Sequence, residues 1–159
     1  MIRFEWAALA LALALAAGPA LANDSGGYAP PAALMTDSGA MTRARAAIDA
    51  RDYPSAIAIL YKIVQAESGN ADAANLLGFS YRMLGQYREA FYYYDKALAL
   101  DPKHKGALEY EGEAYLETDQ LPKAEANLAS LKSACAGGCV ELGQLQAAID
   151  RYKAKTKIN

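Results

Sequence analysis

The chain has 159 residues, 53% of them hydrophobic, with a formal net charge of −2, one histidine and two cysteines. A balance this near neutral, and on the acidic side, argues against nucleic acid as a partner, because phosphate contacts call for a basic patch. Two cysteines and one histidine make an incomplete zinc site, while the apolar fraction is enough for a continuous core.

Residues 1–22 have the layout of a secretory signal peptide. Met1-Ile2-Arg3 is a short basic start, partly cancelled by Glu5, Ala7 to Ala17 is an apolar run, and Ala20-Leu21-Ala22 is a small-x-small cleavage site. The expectation is cleavage after Ala22 and an exported protein, periplasmic or secreted. A membrane anchor is the rival reading, but Gly18-Pro19 ends the apolar run too early to span a bilayer. No cysteine follows the site to carry a lipid, and no later segment is apolar enough to cross a membrane, so no stable insertion is expected after cleavage. Residues 23–36, NDSGGYAPPAALMT, carry paired glycines and paired prolines that oppose helix, and read as a flexible lead-in.

From there the chain repeats. Ala56, Ala90 and Ala124 stand 34 residues apart, and the columns around them keep the same interval. Tyr53, Tyr87 and Leu121 lie before each alanine, and Leu60, Tyr94, Leu128 and Ile63, Ala97, Leu131 lie after it. Upstream, Ala44, Gly78 and Gly112 form one further column and Ala47, Tyr81 and Tyr115 another. A period of this length predicts stacked helix-turn-helix units, each unable to bury its apolar face alone.

The middle unit, residues 71–104, is the clearest. Leu77, Gly78 and Tyr81 share one face of a first helix, Gly85-Gln86-Tyr87 makes the turn, and Ala90, Tyr94 and Ala97 share one face of a second helix. Asp101-Pro102 ends it, since the residue before proline resists the α region. Gly78 and Ala90 are expected where the helices cross, with tyrosines filling the space beside them and their hydroxyls reaching water. This unit resembles a tetratricopeptide repeat through Leu77, Gly78, Tyr81, Ala90, Tyr94, Ala97 and Pro102, with Ala74 in place of the usual tryptophan. Residues 105–138 match less well, through Gly112, Tyr115, Ala124 and Leu128 and a Thr118-Asp119-Gln120 turn, and residues 37–70 are more degenerate still.

Val140 to Lys155 carries Leu142, Leu145, Ile149 and Tyr152 at helical spacing and reads as a capping helix within 139–159. The expected fold is therefore all-α: a solenoid of three helix pairs and a C-terminal cap. Cys135 and Cys139 flank Ala136-Gly137-Gly138 at the junction before the cap. In an exported protein an even, closely spaced pair favours a disulfide that fixes how the cap docks. A redox switch or a pair of thiolates for copper(I) are the functional alternatives.

The resemblance implies a concave surface lined by the first helix of each pair. Carried over by position, it includes Met41, Arg45, Asn75, Phe79, Arg82, Glu109, Glu113 and Glu117. Some members of the family bind a C-terminal carboxylate through a Lys/Asn/Arg set, but here only Asn75 and Arg82 lie near the required places. The three glutamates recur every four residues and read either as a solvated helix face or as an acidic strip that receives basic residues of a partner. Phe79 is expected to point away from the core, as an anchor or as packing for the next repeat, and Phe91 to face the next repeat. Tyr92-Tyr93-Tyr94 reads mainly as core, with Tyr92 or Tyr93 partly exposed. Arg43, Arg45 and Arg51 give the first unit a basic tilt that would permit head-to-tail self-association, without fixing an oligomeric state.

Nothing points to catalysis. His104 has no Cys, Ser or carboxylate at a meaningful spacing, and Glu109 and Glu113 are expected on an exposed helix where nothing raises their pKa. No catalytic residue, metal or cofactor is expected. The reading is a non-enzymatic interaction module that holds a protein or peptide, as an adaptor or scaffold in envelope assembly or protein maturation. A holdase-type chaperone is the alternative, and a thiol or metal accessory protein a weaker one.

Overall fold

The computed structural model describes residues 37–156, so the signal-like start and the lead-in lie outside the described residues. Seven helices follow in order: α1 (Asp37–Asp49), α2 (Tyr53–Ala66), α3 (Ala71–Met83), α4 (Tyr87–Leu100), α5 (Lys105–Glu117), α6 (Leu121–Ala134) and α7 (Val140–Thr156). Every described element is helical, as the period predicts.

Local chemistry sets the boundaries at the same interval. Asp52 and Asn70 cap α2 and α3 by accepting from the N–H groups of Ser55 (3.2 Å) and Ala73 (2.9 Å). His104 caps α5 through Nδ1, 3.1 Å from the Ala107 N–H. Each cap satisfies one of the N–H groups that a helix start leaves orphaned. The turns inside the three pairs place Arg51 (φ 57°), Gly85 (φ 71°) and Asp119 (φ 57°) in the left-handed region. Only the middle one is glycine, so the outer two carry the conformation at a steric cost. That cost marks the worn repeats in backbone terms.

Two larger cores form. Ala56, Leu60, Ile63, Ala74, Leu77 and Ala97 belong to the first, between α1–α2 and α3–α4. Leu108, Leu116, Leu128, Leu131, Leu145 and Ile149 belong to the second, where α7 closes α5 and α6. Each leucine sealed this way contributes about 1.5–3 kcal/mol relative to exposure. At the crossing of α3 and α4, a Cβ on Gly78 would lie 2.8 Å from the Tyr94 ring and 3.1 Å from the Ala90 carbonyl oxygen. The helices approach closely because no side chain stands between them. Tyr94 is fully buried there, contrary to the expectation that its hydroxyl reaches water. Burial pushes its phenol well above the usual tyrosine range.

The helices form two layers. α3 packs on α5 and α5 on α7, whereas no comparable packing joins α4 to α6. From the middle pair onward the inner helices therefore touch, α3 on α5 and α5 on α7, while α4 and α6 stand apart, which curves this part of the stack toward α3, α5 and α7. Cys135 and Cys139 are joined as a disulfide with a Cα–Cα distance of 5.7 Å. This bond ties the end of α6 to the approach of α7, and neither sulfur is then a thiolate.

Candidate protein-binding groove

The residues carried over to the concave surface do not form one exposed row. On α1, Arg45 is exposed, while Met41 is half-buried against the first core. On α3, Asn75 is only 5% exposed. It lies under the start of α5, where a Cβ on Gly106 would come within 3.0 Å of its amide nitrogen. Asn75 is thus inter-repeat packing and is closed to a partner.

Phe79 is half-buried. Its ring centroid lies 6.3 Å from that of Tyr53 on α2 and 4.8 Å from that of Tyr110 on α5. Of the two roles open to it, the structure supports packing between neighbouring repeats. The guanidinium of Arg82 stands 5.8 Å from the Phe79 centroid and 6.0 Å from that of Tyr110. It reaches the next helix: Nη2 lies 2.7 Å from a Glu113 carboxylate oxygen, Nε 3.2 Å from one of Glu117, and Nη1 3.4 Å from the Tyr110 carbonyl oxygen. Arg82 is the bolt that holds α3 to α5. Its planar fork suits this, because one guanidinium serves two carboxylates and two ring faces.

The free acidic strip is therefore corrected. Glu113 and Glu117 already share a cation, and Glu109 is 4% exposed. Glu109 sits where α5 meets α3 and α7. Burial pushes its carboxyl up to about 7, helped by the neighbouring carboxylates of Glu113 and Glu141 and opposed by Arg82. The expectation that nothing raises this pKa fails because α7 is part of the inner layer and covers the ridge. Burial also raises Glu117.

Two further polar contacts escaped the sequence reading. Glu111, on the opposite face of α5, accepts from Asn127 Nδ2 at 2.7 Å and from the Tyr115 hydroxyl at 3.4 Å. Burial raises its pKa, with the Asn127 hydrogen bond pulling the other way. His104, expected to lack a carboxylate partner, has Nε2 2.9 Å from Asp72 Oδ1. Its Nδ1 accepts from Ala107, so Nε2 is the nitrogen that carries hydrogen and donates. The pair links the starts of α3 and α5, which is a structural task. In the aromatic run, Phe91 stacks on Tyr115 of the next unit at 4.7 Å, as expected, and Tyr92 is the exposed member at 62%.

The open space lies between α5 and α7. A cleft of about 610 Å³ is lined by Arg82, Glu113 and Glu117 on one side and by Ala148, Arg151 and Lys155 on the other. A second hollow of about 380 Å³ continues it along α7, past Gly143, Gln144 and Ala147 to Val140, and shares Glu113 and Arg151 with the first. The last helix thus supplies half of the groove.

The family model described as tetratricopeptide repeat matches residues 71–104. The helix pair α3–α4 is therefore a tetratricopeptide repeat unit. The chain's repeats give the fold of PcrH, solved in complex with the chaperone binding region of PopD, at a TM-score of 0.67 and 17% identity, covering 75% of this chain and 92% of that one. They also superimpose on the Yersinia enterocolitica type III secretion chaperone SycD, solved with a peptide of the translocator YopD, at a TM-score of 0.67 and 19% identity, covering 75% and 93%. In sequence, the Guillardia theta protein ycf37 is 37% identical over 59 residues, which are 37% of this chain and 33% of that protein. The chain therefore covers about a third of the length of that relative. Identities this low to the two solved structures speak for the shared repeat fold and for nothing finer.

Proposed function

We propose that this protein is a non-enzymatic, exported adaptor that holds a segment of another protein in the groove between α5 and α7. The observation that carries the reading is that groove, about 610 Å³ at its larger end and open along the inner layer. Its fold is that of PcrH and SycD, both solved with a segment of another protein bound. The signal-like residues 1–22 and the Cys135–Cys139 bond agree with an oxidising compartment outside the cytoplasm.

The test is site-specific crosslinking. A photo-reactive residue at Ala147, in the groove, should capture a defined adduct in the native envelope, while one at Lys62, on exposed α2, should not. Equal capture at both positions, or none at Ala147, would remove the groove reading. Export is checked separately: the protein recovered from cells should begin at Asn23 and show no free thiol. A chaperone is the second reading, favoured by the likeness in fold to SycD, a type III secretion chaperone. It predicts that the protein delays aggregation of an unrelated unfolding enzyme, which an adaptor with one partner does not.

A further inference from the structure

From the charges left unpaired in the groove we infer that its occupant is an extended segment with an apolar end and an acidic end, read by α7, the helix expected only to cap the stack. The inference rests on the groove reading above and names the chemistry of its partner, which is opposite in sign to the basic partner expected from the α5 glutamates.

The carboxylates of the groove are largely committed. Arg82 holds Glu113 and Glu117, the Tyr152 hydroxyl donates to Asp119 at 3.1 Å, and Glu109 is sealed beneath. The cations of the facing wall are not committed. Arg151 and Lys155 stand one turn apart on α7, both exposed, both lining the larger cleft, and neither enters an ion pair or hydrogen bond among the described residues. The other lysine of that turn, Lys153, points elsewhere and pairs with Glu125. A ligand passing along the wall meets two free positive charges on α7, while the residual charge on α5 is spread over two carboxylates that share a guanidinium.

The same face of α7 sets the length and order of the ligand. Val140, at 73% exposure the most open large apolar side chain described, marks the far end. Gly143 and Ala147 follow with little or no side chain, leaving backbone-width space, and Arg151 and Lys155 close the row. At 1.5 Å per helical residue the row runs about 22 Å, the reach of roughly seven extended residues. A segment that puts an apolar side chain on Val140 and carboxylates beside Arg151 and Lys155 fits it. Arginine and lysine at the rim contribute mainly sign selection and association rate, so the preference should fade with salt.

The experiment compares synthetic octapeptides with blocked ends, two leucines at one end and three glutamates, three lysines or three serines at the other, each made in both chain directions. Binding to the isolated, disulfide-bonded protein is read by fluorescence anisotropy at low salt. The glutamate peptide in one direction should bind at least about tenfold more tightly than its lysine counterpart. The double change Arg151→Glu and Lys155→Glu should abolish or invert that preference, and Lys62→Glu, exposed on α2 and outside the groove, should leave it in place. Circular dichroism checks that the exposed α7 changes keep the fold. Equal binding of glutamate and lysine peptides, tighter binding of the lysine peptide, or a glutamate preference that survives the charge reversal would each overturn the inference. If no octapeptide binds, the inference also fails, and the Ala147 crosslink decides separately whether the groove reading stands.

Discussion

Gly78 and Gly112 occupy the same column of the 34-residue period, yet they are closed by different helices. A Cβ on Gly78 would meet the Tyr94 ring, from the second helix of its own repeat. A Cβ on Gly112 would meet the Leu145 side chain, 2.7 Å away on α7. The middle repeat brings a tyrosine to its own crossing and completes itself. The last repeat has Leu128 in that column and is covered from outside. A repeat whose own second helix underfills the crossing depends on its neighbour, and that dependence is what draws α7 into the inner layer and makes it a wall of the groove.

The sharpest way to break this comparison is to remove both plugs. Tyr94→Ala should cost about 4 kcal/mol and Leu145→Ala about 3 kcal/mol in urea unfolding. The difference to look for is spatial. Amide exchange should rise throughout α3 and α4 in the first variant, and in α5 to α7 with α3 and α4 largely spared in the second. Uniform loss in both would mean that the stack is one cooperative unit.

Adding a methyl at each glycine is gentler. Gly78→Ala should cost about 2 kcal/mol, since it presses on an aromatic ring and a backbone carbonyl. Gly112→Ala should stay within about 1 kcal/mol of the parent, because leucine methyls can move and alanine favours helix. Thermal melts of the two variants give the order. For the tether, Cys135→Ser with Cys139→Ser should lower stability by about 2 kcal/mol on chain-entropy grounds and open α7 to exchange before α3.

Glu109 makes the same junction sensitive to pH. Its carboxyl goes from an ordinary 4.5 to about 7 on folding, so between those values the folded state keeps a proton that the unfolded state has lost. Its contribution is whole below 4.5 and is lost as pH rises through about 7. Glu109→Gln should flatten that slope and exceed the parent in stability above it, measured by denaturant unfolding across the range. The smallest effect belongs to the turns. Arg51→Gly, at a left-handed position where the middle repeat already has glycine, should stabilise by about 0.5 kcal/mol.

Much of the fold is legible in the residues because helix pairs obey spacing. The Gly78–Ala90 crossing, the Gly85 turn, the stop at Asp101-Pro102 and the closeness of Cys135 to Cys139 all involve partners at separations set within one repeat. The candidate site is less legible. Arg82 with Glu113 and Glu117, His104 with Asp72 and Phe79 with Tyr110 each join α3 or its start to α5 or its start. Their pairing depends on how far successive units rotate and on which side chains fill the gap. No interval along the chain encodes that. The three glutamates show the consequence: periodicity placed them on one helix face, and only the approach of α3 and α7 turned that face into one buried acid and two partners of an arginine.

By itself the sequence determined helices, turns and a stack of worn repeats, because a 34-residue recurrence of small and large apolar residues has few other ways to be buried. The tertiary structure decided which charges remain available. A charge is free only when nothing else in the packed stack has claimed it, and in the groove the claimed ones are Glu113 and Glu117 on α5 and the unclaimed ones Arg151 and Lys155 on α7.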